Sequence, residues 1–194
     1  MNSEKITDNE SKYFVPGSNL SKPKVRNYVY QELASREHKK AFGQFSSSVT
    51  QRVETLDPVK IYFDAQEQLI SGSHSIDFDK GDILIKQSGM YLIIAAPQVG
   101  KSCFLTCGNT PHWIDFWLRI NNNDLENSAV RRSLVDNFQK DVIPINVVTP
   151  LHAGDKLNIM MAAETKDEGM GIESIEPNGE PVIPSIIATL IQLD

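Results

Sequence analysis

The chain has 194 residues, 40% of them hydrophobic, 23% charged and 8% aromatic. That suffices for one domain with a substantial core and excludes a collagenous, coiled-coil or grossly disordered chain. Nineteen Lys and Arg stand against 25 Asp and Glu, a formal net charge of −6, which argues against wholesale nucleic-acid binding because a phosphate backbone calls for a basic surface.

The charge is unevenly spread. Residues 1–40 carry eight Lys/Arg and five Asp/Glu, giving +3, while residues 41–194 carry eleven and twenty, giving −9. An arm and a body are therefore expected, divided near residue 40. The opening Met1-Asn2-Ser3-Glu4-Lys5 lacks the apolar stretch of a signal peptide, and the longest apolar run, residues 91–96, is too short to span a bilayer. The expectation is a soluble protein made in a cytosol, with the sequons Asn9-Glu10-Ser11 and Asn19-Leu20-Ser21 idle.

Residues 1–23 read as a polar, flexible tail. Residues 24–40 read as an amphipathic helix, started by Ser21 or Pro23, with Val25, Tyr28, Val29 and Leu33 on one stripe. A helix of about four turns is marginal alone, so the stripe needs a surface, either its own body or a partner.

From Ala41 onward the period switches to two. Val59, Ile61, Phe63 and Ala65 alternate with Lys60, Tyr62 and Asp64. Ile114, Phe116, Leu118 and Ile120 alternate with Trp113, Asp115, Trp117 and Arg119. Ile143, Ile145, Val147 and Leu151 do the same, as do Leu157, Ile159, Met161 and Ala163 less cleanly. Each reads as a strand with one face in a core. Turn signals separate them: Ser71-Gly72, Lys80-Gly81-Asp82, Ser88-Gly89, residues 121–124, Ala153-Gly154-Asp155 and Asn178-Gly179. Eight or more short strands so spaced indicate an antiparallel sandwich or barrel. Two strands, residues 91–96 and 186–193, are apolar on both faces, and a second subunit is the most economical cover for the extra face.

Four segments carry a resemblance. Ser88-Gly89-Met90-Tyr91-Leu92-Ile93 resembles the Gly-x-Tyr strand of the tumour necrosis factor-like and complement globular-head superfamily. Phe116-Trp117-Leu118-Arg119-Ile120-Asn121 resembles its following strand and turn. Leu151-His152-Ala153-Gly154-Asp155-Lys156-Leu157 resembles the approach to its penultimate long strand, and Ser185-Ile186-Ile187-Ala188-Thr189-Leu190-Ile191 its closing strand. More narrowly, residues 115–121 with Asn127-Ser128, residues 151–155 and Ile183-Pro184-Ser185-Ile186 are similar to head domains of bacteriophage and other viral structural proteins. So are Ala41-Phe42-Gly43-Gln44-Phe45 and Thr50-Gln51. The closing strand lacks the Phe of animal complement-type heads, which favours the viral or bacterial branch.

The resemblance implies an all-β, ten-stranded antiparallel jelly-roll sandwich over residues 41–194, preceded by a short helical arm, and a tight trimer. It sets both two-sided strands in one sheet facing a three-fold axis, with Tyr91, Ile93, Ile186, Ala188 and Leu190 as the expected subunit contacts. The expected function is a non-enzymatic structural component of the virion: a capsid decoration protein, spike or fibre head docked to other virion or capsid proteins through Val25, Tyr28, Val29 and Leu33. The alternative is a recognition head for a host surface receptor or glycan, with its ligand on the apical loops.

Other motifs have plainer readings beside the chemical ones. Residues 95–102, Ala-Ala-Pro-Gln-Val-Gly-Lys-Ser, fit a relaxed phosphate-loop pattern. The sequence behind them is a poor helix, so a surface connection is expected instead. Cys103, Cys107, His112 and His152 offer zinc-like spacing at one end only, which favours two ordinary thiols and no metal. Residues 164–180 hold Glu164, Asp167, Glu168, Glu173, Glu176 and Glu180 against Lys166. A solvated acidic loop is the expectation there, with calcium as the alternative, although no twelve-residue loop signature is present. No nucleophile–base arrangement stands out among His38, His74, His112 and His152. Trp117, beside Asp115 and Arg119 on an outward strand face, is either an interface anchor or packed on a loop of its own subunit.

Overall fold

The computed structural model describes residues 40–70, 74–77, 81–102, 111–166 and 168–194. The expected helix over 24–40 with Val25, Tyr28, Val29 and Leu33 lies outside the described residues, apart from Lys40. Cys103, Cys107 and Asp167 also lie outside them. No helix among the described residues is long and apolar enough to cross a membrane.

Fifteen strands follow one another among the described residues. They are β1 (Phe42–Ser47), β2 (Gln51–Arg52), β3 (Val59–Lys60), β4 (Ala65–Ile70), β5 (His74–Asp77), β6 (Asp82–Ile85), β7 (Gly89–Lys101) and β8 (His112–Ile120). Then come β9 (Asn123–Asp124), β10 (Val130–Leu134), β11 (Lys140–Val142), β12 (Ile145–Leu151), β13 (Lys156–Ala163), β14 (Met170–Ile172) and β15 (Ile186–Gln192). Ten are four residues or longer; β2, β3, β9, β11 and β14 have two or three.

They pair into two antiparallel sheets that close a sandwich. The first is built on the thirteen-residue β7. β15 and β14 run end to end along one side of β7, and β12 and β11 along the other. β1 and then β4 continue outward from β15, while β2 flanks β14. The second sheet has the order β10-β8-β13-β6-β5, with β3 beside β13 and β9 beside β8.

Alternation decides what fills the space between them. Ile114, Phe116 and Leu118 of β8 and Leu157, Ile159 and Met161 of β13 face Phe45, Tyr91, Ile93, Ala95, Ala188 and Leu190 of the first sheet, all buried. Phe45 and Phe63 meet edge to face, with ring centroids 6.2 Å apart, a favoured aromatic geometry.

The expected strand through residues 59–65 is instead a crossing. Val59–Lys60 pairs with β13 in the second sheet, whereas Ala65 pairs with β1 in the first. Between them, the Ile61 N–H donates to the Ile159 carbonyl, the Tyr62 N–H to the Gln51 side chain, and the Asp64 N–H to the Ser46 carbonyl. Ile61 and Phe63 still enter the core. Asn121 and Asn122 have φ of 51° and 68°, the paired positive values of a two-residue hairpin turn whose twist suits the strands it joins.

Two expectations are corrected. Residues 95–101 belong to β7, and Lys101 is fully buried. An extended strand interior has no row of amides to wrap phosphates, so the segment is neither a phosphate loop nor a surface connection. Within the acidic run, residues 170–172 form β14, which pairs with β7 and β2.

Candidate assembly surface

The two strands with apolar residues on both faces present one face to the core and one outward. Tyr91, Ile93, Ile186, Ala188 and Leu190, the expected trimer contacts, are 0% exposed in the single chain. They pack against the second sheet, so their side chains are unavailable to a partner. The face turned outward is the opposite register.

Cross-strand partners share a face, so the outward rows can be read from the pairing. Phe42 pairs with Ile191, Ile191 with Leu92, and Leu92 with Val148. One apolar row thus crosses β1, β15, β7 and β12, with Val148 58% exposed. The next row, Gln44, Thr189, Ile94 and Asn146, is mixed. On either side of these rows stand Ile187 beside Ala96, and Met90 beside Pro150. An apolar band this broad on an open sheet face is typical of an interaction surface.

Trp117 and Arg119 are occupied within the subunit. The Trp117 indole N–H donates to Asp124 Oδ1 at 2.7 Å, and Arg119 Nε donates to the same oxygen at 2.6 Å. The Asn121–Asn122 turn carries Asp124 back over β8. The Arg119 guanidinium, and then the Trp117 N–H, hold the Asp124 carboxyl below the usual carboxylate range. Its contribution to stability is therefore full above the unfolded value near pH 4 and fades as pH falls through the lower folded value. Asp124 is 56% exposed, so Asp124→Asn is expected to cost less than about 1 kcal/mol. It is also expected to abolish the acid-side change in Trp117 fluorescence; a titration identical to wild type would contradict this pairing.

On the same face, Arg131 lies over the Trp113 ring, 4.0 Å from its centroid, and makes two 2.7 Å bonds to Asp115. A planar guanidinium forked on a carboxylate and stacked on an indole is a rigid arrangement.

Glu173, expected as one of a solvated run, is buried. Its carboxylate accepts from Arg52 Nη2 at 2.6 Å and from the Ser102 hydroxyl at 2.5 Å, and pairs with Lys140. Its backbone exchanges bonds with Gln98: the Glu173 N–H donates to the Gln98 carbonyl and Gln98 Nε2 to the Glu173 carbonyl. Burial pushes the Arg52 guanidinium below its ordinary value. Burial and then the Arg52 charge push the Lys140 ammonium down. Gly100 is glycine because a Cβ there would collide with this carboxylate. Gly100 and Ser102 thus border a buried carboxylate, while the Lys101 ammonium donates to the Val135 carbonyl at 3.4 Å. No local sequence signal marks the pair, because Arg52 has Glu54 beside it in the chain while its partner Glu173 lies more than a hundred residues away.

Glu164 sits beside His112, and Glu168 lies elsewhere in the run. No group of three or more His, Cys, Asp or Glu able to hold a metal ion occurs among the described residues. His152 pairs with Asp155 in its own turn.

The two sheets and their strand order define a TNF-like jelly roll, and solved structures share that fold. The crystal structure of murine APRIL at pH 8.5 superposes with a TM-score of 0.50 at 12% identity, covering 80% of this chain and 100% of that one. The crystal structure of murine APRIL at pH 5.0 gives 0.49 at 11% identity with the same coverages. No protein-family model matches the chain, and no curated protein matches it. At this identity the likeness speaks for the fold alone.

Proposed function

We propose that the protein is a non-enzymatic head that assembles as a homotrimer through the outward face of β1, β15, β7 and β12, as a structural component of a viral particle. The observation that carries the assembly is the apolar row Phe42–Ile191–Leu92–Val148. A sheet face of this kind is covered at least cost by copies of itself in a closed ring. Because the contact is apolar, the −9 charge of each body stays on surfaces away from the axis.

The virion role rests on the head-domain motifs at residues 115–121, 151–155 and 183–186. In it the +3 arm docks to the particle while the acidic head projects. Light scattering at micromolar concentration is expected to give about 65 kDa, three times the 21.7 kDa chain; a monomer would overturn the assembly. Purified particles are expected to contain the protein and to lose it when residues 1–40 are deleted. Particles without it, or retention after the deletion, would overturn the virion placement.

A further inference from the structure

Beside the crossing at residues 61–65 the surface is hollow. A groove of about 450 Å³ is lined by Ser47, Val49, Gln51, Tyr62, Phe63 and Asp64. For scale, an apolar cavity of about 150 Å³ already holds benzene. The crossing is tied to β2 by a side chain: the Gln51 amide donates to the Tyr62 carbonyl and accepts from the Tyr62 N–H, both at 2.8 Å. These bonds occupy the amide, while Val49 and Tyr62 stay 54% and 48% exposed around the opening. A concave site with such walls suits a large apolar side chain arriving from outside.

The charge around the groove is of one sign. Its two lining segments, residues 47–51 and 61–65, are joined where the Ser48 N–H donates to Asp64 at 3.0 Å. A third segment, residues 174–187, lies against the first: the Ser174 N–H donates to Thr50 Oγ1 at 3.1 Å, and the Ser185 N–H to the Ser47 carbonyl at 2.7 Å. Together the three carry Asp64, Glu176 and Glu180, all exposed, and no Lys or Arg. The cations next to them in the chain are committed elsewhere, Arg52 to Glu173 at 2.6 Å and Lys60 to Asp82 at 2.7 Å. The apolar hollow is thus set in negative charge that no neighbouring cation offsets. Such a surface repels phosphate-bearing partners, nucleic acid and anionic lipid alike, and draws a cationic one.

We infer that this groove binds a basic peptide segment of a partner protein. One large apolar side chain of the segment enters beside Val49 and Tyr62, and the Lys or Arg residues flanking it face Asp64 and the carboxylates of residues 174–187. The apolar anchor supplies most of the affinity, and the charges select the partner and speed its approach. All the lining residues belong to one subunit, so the site does not rest on the homotrimer proposed above.

The probe is the peptide Gly-Lys-Lys-Leu-Lys-Lys-Gly, titrated into the full chain by calorimetry. Replacing its Leu by Ala keeps every charge and is expected to weaken binding at least about tenfold, the cost of losing a buried branched side chain. Replacing its four Lys by Glu is expected to abolish binding. Val49 is exposed, so Val49→Lys folds as wild type does; its ammonium repels the probe at the opening, and a loss of at least about tenfold is expected again. Asp64→Asn keeps an acceptor for the Ser48 N–H. It is expected to weaken binding about threefold, as for an exposed ion pair, and to reduce its sensitivity to salt. Equal binding of the Leu and Ala peptides would leave only unspecific charge attraction and overturn the inference. Wild-type affinity in Val49→Lys would overturn it too, as would no binding of the Leu peptide at millimolar concentration.

Discussion

A Leu92→Glu variant is expected to stay folded and to lose assembly, whereas Ile93→Glu, one residue along the same strand, is expected not to fold. Ile93 is 0% exposed, and its side chain sits between the sheets. An ionised carboxylate there has no partner, and its burial costs several kcal/mol even after protonation. A whole domain is stable by only about 5–15 kcal/mol. Leu92 is half-buried on the outward face, where a glutamate reaches water in the single subunit. In a trimer built on that face, three such carboxylates would be drawn from water and toward one another, and both effects oppose association. Light scattering is expected to read about 65 kDa for wild type and 21.7 kDa for Leu92→Glu, with unchanged far-ultraviolet circular dichroism. Ile191→Glu, in the same row, is expected to match it. A Leu92→Glu protein that keeps the trimer mass would place the interface elsewhere.

The same pair of residues marks how far the sequence could be read. Where a strand carries polar residues on one face, period two reveals both strand and phase. Ile114, Phe116 and Leu118 of β8 are core as expected, because Asp115, Trp117 and Arg119 label the other side. In β7 the candidates Tyr91, Ile93, Ala95 and Leu92, Ile94, Ala96 are equally apolar, so alternation has no phase, and the inward-facing Tyr91 and Ile93 stand among the expected subunit contacts. The information that fixes the phase is non-local. Asn146 pairs with Ile94, and Thr189 pairs with Ile94 from the other side; these two polar residues label the outward row, but only once the register is known. Gly100 and Glu173 failed for a related reason. A buried carboxylate and a solvated one look alike in sequence, and the cations that justify its burial arrive from β2 and β11. Turns were more legible, because Asn121-Asn122 and Ala153-Gly154 act through their own backbone preferences: Asn121, Asn122 and Gly154 all have positive φ.

Glu173→Ala is expected to be among the most destabilising single changes outside the apolar core. The carboxylate is 3% exposed, and its partners Arg52 and Lys140 are 28% and 39% exposed. Removing it leaves two cations facing each other at the end of β7, and it strips acceptors from Arg52 and Ser102. Losing one member of a buried pair costs about 3–5 kcal/mol. For a chain of this length, each kcal/mol lowers Tm by roughly 2–4 °C, so a fall of about 6–20 °C is expected in thermal unfolding at fixed protein concentration. The loss reaches beyond one contact because the cluster ties β2 and β11 to β7, with Glu173 immediately following β14. Arg52 also donates to the Gly169 carbonyl at 2.8 Å. Desolvation and attraction nearly cancel in such clusters, so replacing all the charges together is expected to recover much of the loss. Arg52→Met, Lys140→Met and Glu173→Leu combined should therefore melt well above Glu173→Ala. If Glu173→Ala melts within about 2 °C of wild type, less than 1 kcal/mol by the same conversion, the cluster contributes nothing to holding β2, β11 and β14 on β7.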